Sequence, residues 1–378
     1  MTTTTATSAA VIEALKEAAM AKLKANGVDV PDVEPPKKDH PKKKKEESVE
    51  WPDVLKNDGP TKMFSELFPK EWAAVRDKNP DFAVPFFSDY EFPEHLRAYI
   101  PAGSDYMADP QLAYDAALAF ATGSVTHLVG WPGTGKSNGL PVLLAHKLGL
   151  PLLRLGLNKK GMGLDDLIGR EAIKQGENGS YTDHRDGVLV KWIGHPCIIL
   201  ADEFSRANTE ITNGLMSLME RGGCLIVENR ANPVIKRHEH CWIIASDNVK
   251  GLGDGMDRGM VGTDQVDGAV LDRFEVTLEV DYLTESQNLA LIQSWFPGFP
   301  ESEARKIVKF GMLIQQGYKK GEMPLSFSPR SLKEVCRYAC IHKDAAPAVR
   351  KVVLNKYAEE ADISAIREFF RTAFGRSL

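Results

Sequence analysis

Five short apolar runs set the pattern of the middle of the chain. Val125–Val129, Leu152–Leu157, Cys197–Ala201, Cys241–Ser246 and Phe274–Val280 are separated by helix-length segments. Runs that are apolar nearly throughout, rather than alternating, belong to strands covered on both faces. With helical spacers between them they predict an α/β fold: a parallel five-stranded sheet between helices, spanning Ser124 to about Asp281. After Glu285 the period becomes helical. Ser286–Trp295, Glu301–Gln316, Ser331–His342, Ala346–Tyr357 and Ile363–Phe374 are expected as helices, punctuated by Gly298, Pro300 and Pro329. These form a small all-helical domain.

The first third reads differently. Val11–Lys24 has the spacing of a short helix. Pro31–Glu50 is nearly devoid of apolar residues and is expected to be a linker, because it has too little apolar surface to offset chain entropy. Trp51 to Ala121 is rich in aromatic residues and interrupted by prolines, a folded lead-in to the sheet that ends in a helix over Leu112–Ala121. The expected division is therefore 1–50, 51–121, 122–283 and 284–378.

Charge and cysteine content narrow the picture. The net charge of −5 over 378 residues gives no global case for nucleic-acid binding. Lys42–Lys45 form a basic run, but Pro31–Glu50 as a whole balances six lysines against six acidic residues. No apolar run reaches the ~18 residues of a membrane span. The N-terminus shows no secretory h-region, and the five cysteines form no CxxC pair. Reduced thiols and a cytoplasmic location are expected. His238, His240 and Cys241 lie close in sequence, but no second ligand pair accompanies them, so a core cysteine preceded by loop histidines is the plainer reading.

The chemistry begins at Gly130-Trp131-Pro132-Gly133-Thr134-Gly135-Lys136-Ser137. This is the G-x-x-x-x-G-K-[ST] phosphate loop, placed as it should be between an apolar strand and a helix-length segment. Glycines let backbone N–H groups converge on phosphate oxygens, Lys136 reaches the β- and γ-phosphates, and the Ser137 hydroxyl ligates Mg²⁺. Pro141 is expected to kink the following helix or make its start irregular. The run Cys197–Ala201 ends in Asp202-Glu203. In P-loop enzymes the first acid holds Mg²⁺, and the second polarises the attacking water as general base. Asn248 closes the fourth run, where such a residue orients that water; a turn-forming Asn is the alternative. Arg273 and Arg330 offer forks of donors suited to γ-phosphate, or else make ordinary surface ion pairs.

Taken together, the chain from about Thr126 to Arg330 resembles an AAA+ ATPase of the MoxR-type branch. The phosphate loop, Asp202-Glu203-Phe204-Ser205-Arg206-Ala207, Ala245-Ser246-Asp247-Asn248, Leu271-Asp272-Arg273-Phe274 and Ser328-Pro329-Arg330 carry the likeness in order. Within that branch it is most similar to the ATPase subunit of aerobic cobaltochelatase, through Gly187-Val188-Leu189, Gly251-Leu252-Gly253-Asp254, Gly262-Thr263 and Phe64-Ser65-Glu66-Leu67-Phe68. The resemblance implies an AAA+ domain with a helical lid, ATP and Mg²⁺ as ligands, and a ring, usually a hexamer, with ATP at subunit interfaces. Arg273 would then act in trans and Arg330 as the second sensor. A partner with a von Willebrand A domain is also implied. Residues 1–50 and Ser205-Arg206-Ala207 depart from the cobaltochelatase pattern.

Two functional readings follow. One is an ATPase that remodels a partner protein, as a motor of metal insertion or otherwise. The other is a nucleic-acid motor: a helicase, restriction translocase or loader. The loop candidates Asn158–Gly163 and Gly251–Thr263 favour the first. Asp165 and Asp166 follow the lysines of the one, and Asp254 and Asp257 accompany Arg258 in the other.

Overall fold

The computed structural model describes residues 55, 59–157, 163–176, 179–227, 230, 232–248 and 268–378. Residues 1–50, most of the 158–163 loop and all of Gly251–Thr263 lie outside the described residues.

The sheet strands are β1 (Thr126–Gly130), β2 (Leu152–Gly156), β3 (Cys197–Asp202), β4 (Cys241–Asp247) and β5 (Val276–Val280), each within two residues of its predicted limits. All are parallel, in the order β5-β1-β4-β3-β2. β3 and β4 are almost wholly buried, as their unbroken apolar sequences require. Because the strands are parallel, the carboxyl ends of β1, β3 and β4 emerge at one edge, and the sequence places a functional residue at or just beyond each.

Helix α1 (Pro110–Ala121) precedes the sheet. Asp109 caps it by accepting from the amides of Gln111 and Leu112, with Pro110 in the first turn where no N–H is needed. Its buried face carries Ala113, Tyr114, Ala117 and Phe120. Against it lies an aromatic cluster in which Phe64 stacks on Phe68 and Phe82 and meets Tyr114 edge-on.

Helix α2 (Leu140–Leu148) starts late. Residues 136–139 form turns, and the amides of Gly139 and Leu140 both donate to the carbonyl of Gly135. Pro141 therefore falls in the first helical turn and removes no hydrogen bond, so the start is irregular rather than kinked. Helix α3 (Thr209–Met219) follows β3, with Asn208 as its cap.

Two spacers differ from the helical expectation. Gly169–Gly176 pairs with Gly179–Asp186, and Cys224–Ile226 with Val234–Lys236, as separate antiparallel hairpins. Gly169–Asp186 is mostly polar, with only Ala172, Ile173 and Tyr181 as apolar side chains, too few to bury a helix face, whereas a hairpin needs none.

The C-terminal region has its own core, built by α4 (Glu285–Trp295), α5 (Glu301–Lys319), α6 (Pro329–His342), α7 (Ala345–Val352) and α8 (Glu360–Phe374). α7 ends at Val352 and a 3₁₀ turn covers Leu354–Lys356, shortening the expected helix. Among the described residues no helix is long and apolar enough to cross a membrane.

Candidate active site

β1 delivers the phosphate loop directly. Gly130 pairs with Val280 of β5, and a Cβ at Gly130 would stand 2.1 Å from the Val280 carbonyl oxygen. Gly133 (φ 78°) and Gly135 (φ 100°) turn in the left-handed region, so side chains at these positions would be strained. The loop closes on its own lysine. Lys136 Nζ donates to the carbonyls of Gly130 (2.8 Å) and Trp131 (2.6 Å), and Thr134 Oγ1 also donates to Trp131 O, at 2.9 Å. Burial pushes the Lys136 ammonium down to about 8, opposed by the charges of Asp202 and Asp247. Lys136 thus sits beside two carboxylates with its donors on loop carbonyls that a phosphate oxygen can replace.

Asp202 ends β3. Its Oδ1 accepts from Ser137 Oγ at 2.6 Å and from Ser246 Oγ at 2.5 Å. The parallel register sets Ser246 opposite Asp202. The loop serine and this carboxylate form a hard-oxygen pair, the donor chemistry that Mg²⁺ prefers. Glu203 then takes a left-handed conformation (φ 56°, ψ 48°) and leads into a 3₁₀ turn, Phe204–Arg206. That conformation is strained for a residue with a Cβ. Arg206 Nη1 donates to Glu203 Oε2 at 3.2 Å.

The phosphate loop, Asp202, Glu203, Asn248 and Arg330 line one cleft of about 840 Å³. β4 lies between β1 and β3, so half-buried Asn248 leaves the sheet between the loop and the acidic pair. Arg330 enters from the helical region in the first turn of α6, whose cap is Ser328. Ser328 presses against the phosphate loop: a Cβ at Gly133 would stand 2.4 Å from its Cβ. Arg273 is not among the residues lining the cleft. Its guanidinium bonds Glu220 Oε1 (3.0 Å) and the carbonyl of Ala269 (2.7 Å).

Two further features escaped sequence reasoning. Tyr106 packs over Gly135 and Gly139 and donates to Thr134 O at 3.2 Å, closing the cleft from the segment before α1. Trp131 stacks on Tyr282 (6.5 Å between centroids) and meets Tyr318 of α5 edge-on (5.8 Å), with Lys319 near both the Trp131 and Tyr282 rings. The phosphate loop is therefore gripped by the helical region on its outer side. A tryptophan within a glycine-rich loop, followed much later by Asp281-Tyr282, was the only available signal.

Residues 126–274 match the AAA domain family of the dynein-related subfamily. The sheet and its helices form the AAA+ P-loop fold, followed by a helical region. Beyond this match, the chain is similar to the aerobic cobaltochelatase subunit CobS of a Sinorhizobium species, with 27% identity over 304 residues, 79% of this chain and 88% of that one. Midasin from Giardia intestinalis is 33% identical over 128 residues, which cover 34% of this chain but 2% of midasin. Among solved structures, a RuvB mutant from Thermotoga maritima is 15% identical with a TM-score of 0.43, over 68% of this chain and 72% of that one. The resemblance to the ATPase subunit of aerobic cobaltochelatase, drawn from the motifs, is borne out by the similarity to CobS over most of both chains.

Proposed function

We propose that the protein binds ATP with Mg²⁺ in this cleft, hydrolyses it at a subunit interface of a ring, and uses the cycle to remodel a partner protein. The observation that carries this reading is the meeting of the phosphate loop, Asp202, Glu203, Asn248 and Arg330 in one cleft while Arg273 stands outside it. Lys136 exchanges loop carbonyls for phosphate oxygens. Ser137 and Asp202 would hold Mg²⁺, which neutralises phosphate charge when bound. Glu203 takes a proton from the attacking water, and Asn248 orients that water. Arg330 reaches the phosphates from the helical region, which serves as a lid. Arg273 serves the cleft of the neighbouring subunit, probing γ-phosphate from outside.

The ring is expected to be a hexamer. Similarity to the cobaltochelatase subunit over most of both chains supports a role as the motor of a metal-insertion complex or a related assembly, with a von Willebrand A domain protein as partner. In such an assembly the chelated ring and the metal ion are substrates held by another subunit, and this chain supplies the ATP-driven change of shape. Cytoplasmic location follows the same reading.

The test is the ATPase rate at moderate salt with single- or double-stranded DNA added, alongside a pull-down that uses Glu203→Gln as bait. An unchanged rate with DNA and capture of a von Willebrand A domain protein are expected. Strong stimulation by DNA contradicts partner remodelling and points to a nucleic-acid motor.

A further inference from the structure

At the edge of the cleft, which Asp247 helps to line, lies a buried polar pair that the catalytic assignments leave unused. His127 is the second residue of β1 and Asp247 the last of β4; their side chains are 4% and 1% exposed. His127 is in register with Ala245, so Asp247, two residues further along β4, falls on the same face of the sheet and diagonally beside it. His127 Nε2 and Asp247 Oδ2 are 2.8 Å apart. The other carboxylate oxygen of Asp247, Oδ1, accepts from the backbone amide of Ser205 at 2.8 Å. Burying a carboxylate and an imidazole is costly, and an apolar pair would fill a sheet interior without that cost.

The contacts of this pair form a closed circuit. The His127 ring stacks on Phe274 at 4.6 Å between centroids, and Phe274 meets Phe204 edge-on at 5.4 Å. Phe204 and Ser205 belong to the same 3₁₀ turn, whose second residue is tied to Asp247. Each functional position is one residue from this circuit. Glu203 precedes Phe204, Asn248 follows Asp247, and Arg273 precedes Phe274. The bond from Ser205 to Asp247 also anchors the turn that holds Glu203 in its left-handed conformation.

We infer that His127 and Asp247 are positioning residues: they fix the Glu203 turn, Asn248 and the Arg273 segment relative to one another, so that the general base, the water-orienting amide and the interface arginine are set as one unit. This inference rests on the ATPase reading. Neither residue needs to touch ATP for the effect, which acts through the geometry of the groups that do.

Asp247→Asn and Asp247→Ala separate geometry from charge. Both remove the negative charge beside Lys136, so any electrostatic effect on nucleotide affinity is shared. Asparagine can still accept from the Ser205 amide and donate to His127 Nε2 in its other tautomer, whereas alanine can do neither. Asp247→Asn is expected to keep a kcat at least roughly tenfold above that of Asp247→Ala, because small misplacements of catalytic groups cost about that much or more. The two should bind a nucleotide analogue within about threefold of each other, because the interaction lost acts in the transition state. Equal kcat values for the two variants overturn the inference, as does a difference confined to affinity. His127→Leu, which keeps an apolar neighbour for Phe274 but removes Nε2, covers the case in which Asp247→Ala does not fold. It should lower kcat with affinity retained, and a wild-type kcat there overturns the inference. Wild type and Glu203→Gln, assayed in parallel, keep the two levels apart. Hydrolysis by wild type that Glu203→Gln loses supports the ATPase reading whatever the Asp247 variants do, and absence of hydrolysis in wild type defeats the reading and the inference together.

Discussion

At the residue scale, Lys136 shows how a binding site stores its charge. Its ammonium is buried, bonded to the carbonyls of Gly130 and Trp131, and lowered to about 8 by burial. A polyanion favours the protonated form, so binding raises this value. Affinity for nucleotide is therefore full below pH 8 and falls as pH rises through about 8, where the free protein loses the proton first. Equilibrium titration with a fluorescent nucleotide between pH 7 and 9.5 checks this, and a flat affinity across that range contradicts it. The loop and the acidic pair were legible in the sequence because their chemistry is tied to spacing: a lysine after two glycines, and two acids at the end of an apolar run. Tyr106 was not legible. Its place over Gly135 and Gly139 depends on how residues before α1 fold back across the loop, and no local period encodes that.

At the scale of elements, the buried strands declared themselves by length and composition, and the sheet lies where the apolar runs put it. Their spatial order could not be read that way, because pairing between parallel strands depends on crossovers rather than on neighbours in sequence. The hairpin Gly169–Asp186 was also missed, although Gly176 and Gly179, which the register pairs, bracket a two-residue connection of the length hairpins favour. Its strands expose both faces and so lack the apolar alternation that marks a half-buried strand. Helix ends were less legible: the helix expected over Leu112–Ala121 begins at Pro110, and the one expected to reach Tyr357 ends at Val352. Asp109 accepts two amides at the start of α1. Asp109→Ala should destabilise the protein by about 1 kcal/mol, and Asp109→Ser by less, in urea unfolding. Equal stability of the alanine variant and wild type would remove the cap from the account of this helix.

At the scale of the whole molecule, two cores share one cleft. The sheet supplies the phosphate loop, the acids and Asn248; the helical region supplies Arg330 and the aromatic grip on Trp131. Arg273 is not among the residues that line the cleft and is bonded to Glu220 and Ala269. Under the proposed ring, that separation makes a strong prediction. Lys136→Ala and Arg273→Ala should each abolish hydrolysis, the first by loss of nucleotide and the second with nucleotide still bound. Mixing the two inactive proteins should restore part of the rate, because some interfaces then combine an intact loop with an intact arginine. No recovery in subunit-exchanged mixtures would place the function of Arg273 within its own chain or outside catalysis altogether.

The most direct measurement is ATP turnover by Glu203→Gln beside wild type, with nucleotide affinity measured on the same samples. Retained binding with hydrolysis lost, by roughly a hundredfold or more as expected for removal of a general base, is the predicted result. Hydrolysis by Glu203→Gln at the wild-type rate would contradict the assignment of this cleft as the place where water is activated.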